Sequence, residues 1–147
     1  MRPMDRWLGN AGMALVGDLG VCFTRCDETD GLGRSEGEWV PTELAANPWG
    51  VVQGGAHSVV HDAAMSLAIN ASLEGEDRSR ASLEIKTETM RPARPGDRLR
   101  VLGRASALAW QVAWATAEVV DAEGRLVSRA TGTFLLHRGA RETPAHR

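Results

Sequence analysis

The stretch GGAHSVVHDAAMSLAINASL, residues 54–73, decides how this chain folds. After its two glycines it runs from Ala56 to Leu73 without Pro or Gly and sets Ala, Val, Met, Leu and Ile on almost every face. A helix apolar all round is a buried one, so a helix is predicted here with cover on every side. It should end near Glu74-Gly75, and Glu76 to Arg80 reads as a charged connector. From Ser82 the period becomes two: Leu83, Ile85, Thr87 and Thr89 alternate with Glu84, Lys86 and Glu88. Pro92 and Pro95-Gly96-Asp97 make a turn. Arg98 to Ala107, Trp110 to Asp121 and Arg125 to Leu136 then read as long strands, the last two joined at Ala122-Glu123-Gly124.

Upstream of the helix, Val21 to Arg25 and Glu38 to Leu44 read as a pair of strands separated by the acidic, turn-rich run Asp27 to Gly37. Met1 to Asp18 mixes Trp7, Leu8, Met13, Leu15 and Val16 with glycines, and a short helix is expected there, packed on the domain edge. Two strands, one buried helix and four more strands describe an α+β fold, an antiparallel sheet wrapped around one central helix. At 147 residues the whole chain is expected to be one domain, with its core at about 20–137 and a frayed polar tail over 138–147. One sheet covers only part of such a helix, and a second copy of the chain would supply the rest.

Composition narrows the function. Apolar residues make up 43% and charged residues 24%, ordinary globular usage. A net charge of -2 and a pI near 6.1 disfavour a nucleic-acid partner, which calls for a basic stripe. Cys22 and Cys26 lie four apart in a strand, roughly 13 Å between Cα atoms, too far for a disulfide. They read as small hydrophobes, and their reduced state suits the cytoplasm. Gly12 to Val21 is short and interrupted by Asp18, so a signal peptide is not expected, and no run reaches the length of a membrane span.

The chemistry centres on Asp62, a carboxylate inside the most apolar helix. Left unpaired there it costs several kcal/mol or takes up a proton. An isolated buried Asp is as readily a structural hydrogen-bonding residue as a catalytic one, so its surroundings must decide. Gly54 and Gly55 stand at the start of the same helix, where free N–H groups and the positive dipole end suit an oxyanion; a tight loop feeding a helix explains two glycines equally well. Gly54 and Asp62 are eight residues and roughly 12 Å apart along a helix axis. To act on one carbonyl carbon they must come from two chains, with helices antiparallel across a two-fold axis. Asn47, before Pro48, shapes a turn or meets a ligand. His57 and His61 have the spacing of a metal pair, but Asp62 points roughly 100° away from His61 and no third ligand is evident, so no metal is expected. No other cofactor is expected.

Asn47, then Gln53-Gly54-Gly55, then Asp62 in an Ala-rich helix, then Ser82 ten residues before Pro92 in SLEIKTETMRPARPGD together resemble the hotdog-fold thioesterases of the 4-hydroxybenzoyl-CoA and phenylacetic-acid-pathway type, from about Gly37 to Leu136. The resemblance implies a homodimer, or a dimer of dimers, that hydrolyses small aryl or short- to medium-chain acyl-CoA thioesters. It implies that Gly54 N–H polarises the thioester carbonyl, that Asp62 is nucleophile or general base, and that Ser82 holds Asp62 or the water. Asn47 would orient the carbonyl or the attacking group from the partner chain. Gln53 stands where the family usually has His, and Gln hydrogen-bonds but does not titrate near neutrality. Gly55 would allow close approach of substrate, while Arg91 and Arg94, with Arg98, form a basic cluster suited to CoA phosphates or merely solvated. Trp49, Trp110 and Trp114 read as core or interface anchors rather than pocket walls. Hydratase relatives carry Asp and His where this chain has Ala45 and Gly50, which disfavours that class. A non-catalytic acyl-CoA binder on the same fold is the alternative that Gln53 keeps open.

Overall fold

The computed structural model describes residues 4–139, so the polar tail from residue 140 lies outside the described residues. The central helix, α2, spans Gly54–Ala71 and follows a five-residue helix α1, Ala14–Asp18. Six strands surround it: β1 Val21–Thr29, β2 Leu32–Trp39, β3 Arg78–Thr89, β4 Leu99–Leu108, β5 Val112–Val120 and β6 Leu126–His137. They form one sheet in the order β1-β2-β4-β5-β6-β3, every neighbour antiparallel. The sheet curls until all six strands touch α2. This is the hotdog fold, α+β as expected.

Alternation along β4, β5 and β6 explains the curl's inner face. Leu99, Val101 and Ala105 of β4, Ala113 to Val119 of β5 at every second position, and Ala130, Phe134 and Leu136 of β6 are buried against α2. The β5 positions are mostly alanine, which lets the helix sit close.

The hairpin departs from the sequence reading. The acidic run Asp27 to Gly37 is not a connector: β1 and β2 continue through it and turn at Asp30-Gly31, while Leu44 belongs to a 3-10 turn, Glu43–Ala45. The reason is steric. A Cβ on Gly33 would strike the Ala68 carbonyl, and one on Gly103 of β4 would strike the Ala64 carbonyl, which also accepts the Ser35 hydroxyl at 2.7 Å. Glycines that look like turn residues are there because strands press on helix backbone. Gly103→Ala is therefore expected to destabilise the fold by about 3 kcal/mol, the upper range for overpacking, and to lower Tm by roughly 10 °C. A thermal melt reads this directly, and a change within about 2 °C would mean that the strand slides away freely.

Three further readings change. β3 begins at Arg78, inside the stretch read as a connector. Trp49 is 82% exposed and Trp114 43%, so neither is a core anchor of this chain; the core tryptophan is Trp39, fully buried, its indole N–H donating to the Leu19 carbonyl at 2.9 Å. The start of the polar tail is held firmly. Arg138 pairs with buried Asp77 at 2.9 Å, lies over the Trp110 ring at 4.8 Å and donates to the Trp110 carbonyl, while Gly139 N–H donates to Asp77. Cys22 is exposed on the edge strand and Cys26 half-buried, both free thiols. None of the described helices is long and apolar enough to cross a membrane.

Candidate active site

α2 is not apolar all round. Ser58, Asp62, Ser66 and Asn70, at four-residue intervals, form one partly exposed polar stripe. β3 runs beside it in the opposite direction. Ser58 Oγ donates to Thr87 Oγ1 at 2.9 Å at one end, and at the other Ser79 N–H donates to Asn70 Oδ1 at 2.8 Å. Asp62 lies in the middle, half-buried and without hydrogen bond or ion pair among the described residues. Burial raises its carboxyl above the usual Asp value, because desolvation penalises the charged form.

Ser82 belongs to the same half-site. In the β3–β6 register it stands opposite Phe134, a buried residue of the inner face, and directly opposed residues share a face. Ser82 is thus on the helix side of β3, between Ser79 and Thr87, which both bond α2, and it is exposed.

The other residues gather at the helix start. Gln53 is the N-cap, extended at φ -61° and ψ 139°, and its side chain makes no capping bond. Gly54 and Gly55 follow, both exposed, with open space where a Cβ would be. Asn47 uses its side-chain oxygen to accept the N–H groups of Trp49 at 3.0 Å and Val51 at 3.1 Å, which fixes the loop before the helix. That leaves its amide N–H₂ as donor toward solvent. The turn-shaping role is present, and it orients the donor.

The chain therefore places Asp62 and Ser82 on adjoining stretches of α2 and β3, and separately gathers Asn47, Gln53, Gly54 and Gly55 at the start of α2. The two groups are not joined within one chain. Arg91 and Arg94 adjoin the second group, because Val52 N–H donates to the Ala93 carbonyl at 2.8 Å and ties their loop to the segment before α2. Both are exposed and neither has a carboxylate within ion-pair reach among the described residues. A cleft of about 390 Å³ next to Arg91 and Arg98 is lined also by Asp97, Asp121 and Glu123, a mixed wall that opposes a polyphosphate.

Two features escaped the sequence reading. His57 and His61 are fully buried and converge on one hydroxyl: His57 Nδ1 is 2.8 Å and His61 Nε2 2.9 Å from Ser128 Oγ. Burial lowers His57 to about 4 and His61 to about 3, and both rings are neutral at pH 7. Their i, i+4 spacing serves this contact. The second feature is a cleft of about 290 Å³ that starts one turn beyond Asp62, at Ala63 and Ser66, and extends to Asn70. The spacing of Ser58, Asp62, Ser66 and Asn70 was the available signal for the groove.

No family profile matches the sequence, and no curated protein matches it either. Solved structures do. The architecture is that of the thioesterase superfamily of hotdog proteins. A phenylacetic acid degradation-related protein of Ralstonia eutropha is 28% identical, with 91% of this chain and 99% of that chain aligned at a TM-score of 0.77. A variant of the phenylacetic acid degradation protein PaaI of Thermus thermophilus aligns over 84% of this chain and 98% of that one, at 24% identity and TM-score 0.69. A thioesterase of Haemophilus influenzae matches in fold, with a TM-score of 0.80 over 99% of this chain and 96% of that chain, at 18% identity.

Proposed function

We propose that the protein is an acyl-CoA thioesterase for small aryl or short- to medium-chain thioesters, with its site composed across a dimer interface. The observation that carries this reading is the unpaired, half-buried Asp62 carboxylate on the polar stripe of α2, next to Ala63, where a cleft begins. A structural Asp would hold a partner there. The names of the structural neighbours point the same way.

In this reading Gly54 N–H of one chain meets the thioester carbonyl oxygen and stabilises the charge that develops on it. Asp62 of the partner supplies the electron pair, either by taking a proton from water or by attacking the carbonyl carbon itself. The C–S bond then breaks and CoA leaves as the thiol; the acyl group leaves directly as the acid when water is the nucleophile, or stays on Asp62 as an anhydride whose C–O bond a water molecule then cleaves to release the acid. Ser82 positions Asp62 or the water, Asn47 and Gln53 donate to the substrate, and Arg94, which does not line the carboxylate-bearing cleft beside Arg91, meets the CoA phosphates. The open edge of β3 and the exposed stripe of α2 both invite a second copy, with helices antiparallel.

The test is a hydrolysis screen of aryl-, short- and medium-chain acyl-CoAs with thiol detection, alongside sedimentation. Turnover by a dimer or tetramer is expected. A stable monomer at micromolar concentration would remove the composite site, and tight binding of every thioester without turnover would select the acyl-CoA binder.

Gln53 gives a second expectation. Its side chain is exposed and free of capping duty, so it is available to the substrate and dispensable to the fold. Gln53→Ala should lower kcat/KM about ten- to a thousandfold while leaving Tm unchanged, and Gln53→His should retain activity. Equal kcat/KM for all three forms would take Gln53 out of the site.

A further inference from the structure

The cleft beyond Asp62 has a composition that the proposed function does not explain. Trp7, Ala11 and Met13 of the N-terminal segment and Ala63 and Leu67 of α2 give it an apolar wall, Ser66, Asn70 and Ser79 a polar one, and Arg6 and Arg78 line it as well. Trp7 is held in place, since Gly12, at φ +73°, packs on its ring so closely that a Cβ there would clash. Arg6 lies over the same ring, 4.8 Å from its centroid, an arrangement that fixes the guanidinium plane and leaves its N–H edges open. Neither Arg6 nor Arg78 has a carboxylate within ion-pair reach among the described residues, although eight such pairs occur elsewhere in the fold. Two arginines beside one cleft, without a counter-ion, form a place for an anion.

The distance identifies which anion. Arg78 precedes Ser79, which is bonded to Asn70, and Asn70 lies eight residues beyond Asp62, about 12 Å along the helix. A ligand reaching from Asp62 to the arginines therefore passes Trp7, Met13 and Leu67 on one side and the polar stripe of α2 on the other, and ends in negative charge. The pantetheine arm of CoA is longer than this span, so its phosphates would overshoot the arginines. We propose that this cleft receives the acyl part of the thioester and that Arg6 and Arg78 bind a carboxylate at its far end, so that ω-carboxyacyl thioesters of medium length are preferred substrates. The proposal rests on the thioesterase reading and adds the class of acyl group.

The test compares suberoyl-CoA with octanoyl-CoA, and the N-acetylcysteamine thioesters of the same two acids, for the full chain and for Arg6→Gln and Arg78→Gln. Both arginines are exposed, so the variants should fold. The expected result is at least a tenfold higher kcat/KM for the carboxylated acyl group on either carrier. Each substitution should abolish that preference, mainly through KM, and leave the octanoyl thioesters unaffected. Absence of any preference in the unmodified protein overturns the proposal. So does a loss confined to both CoA thioesters, because the arginines would then be reading nucleotide phosphates. If none of the four thioesters is hydrolysed, the broader screen judges the thioesterase reading by itself, and calorimetric titration with free suberate and octanoate decides the cleft. Suberate binding that both substitutions abolish supports it, and no binding of suberate overturns it.

Discussion

Asp62→Asn is expected to lower kcat by about two to four orders of magnitude, the range for losing a general base, with the fold intact. The carboxylate has no partner to strand, so its loss opens no unsatisfied contact. Its raised pKa carries a sign that strengthens the test. A carboxyl whose pKa is higher folded than unfolded binds protons more readily in the folded state, so ionising it at neutral pH costs stability. That cost is present above the folded pKa and vanishes below the unfolded one. A neutral amide in its place escapes it, and the variant should melt no lower than the parent. Lost activity with retained or raised Tm marks a functional residue. Unchanged turnover in the folded variant would return Asp62 to a structural role. In the parent, activity should fall on the acid side at a pH above the ordinary Asp value of about 3.9, because the ionised form does the work.

Acid should unfold the protein earlier than its carboxylates alone require. His57 and His61 titrate at about 4 and about 3 when folded, against about 6.5 when unfolded. Between pH 6.5 and 4 the unfolded chain therefore binds up to two protons that the folded chain refuses, and stability falls as pH falls through that window. Each proton contributes about 1.4 kcal/mol per pH unit, so two protons over two units come to about 5 kcal/mol, on the scale of a whole domain's stability. The groups around the pair offer no relief, since Ser128 and Trp39 are neutral and His57 and His61 repel each other once charged. Asp62, one residue from His61, has its carboxyl raised by burial, so its protonation acts in the opposite direction. Melts at about pH 7.5, 6.5, 5.5 and 4.5, which bracket the window, should show a steep decline for the parent and a shallower one for His57→Gln and His61→Gln. Parallel curves would show that the pair does not govern acid stability.

Local pattern was enough for the elements whose environment is uniform. The helix expected over 56–73 runs Gly54–Ala71, and the last three strands start and end close to where alternation placed them. It failed where distant partners set the residue type. Gly33 and Ser35 look like turn residues, yet they lie in a strand because the Ala68 and Ala64 carbonyls sit against them. His57 and His61 have the spacing of ligands, and only Ser128, about seventy residues away, explains them. For the candidate site, the motif order singled out residues that lie along α2, on β3 and in the loop before the helix, but nothing local marked Arg6 or Trp7 as neighbours of α2.

The strand order has a consequence for how the chain is made. β3 follows the helix directly in sequence but pairs only with β6, the last of the six strands to leave the ribosome. Until then the flank of α2 that carries Asp62 has no sheet beside it, and β3 has both edges bare. The half-site with Asn47 and Gly54 belongs to segments that emerge first, whereas the half-site with Asp62 and Ser82 takes shape only when β6 docks. In the proposed dimer the nascent chain thus shows an acceptor for its sister before it can offer the complementary half, and assembly must wait for the last strand.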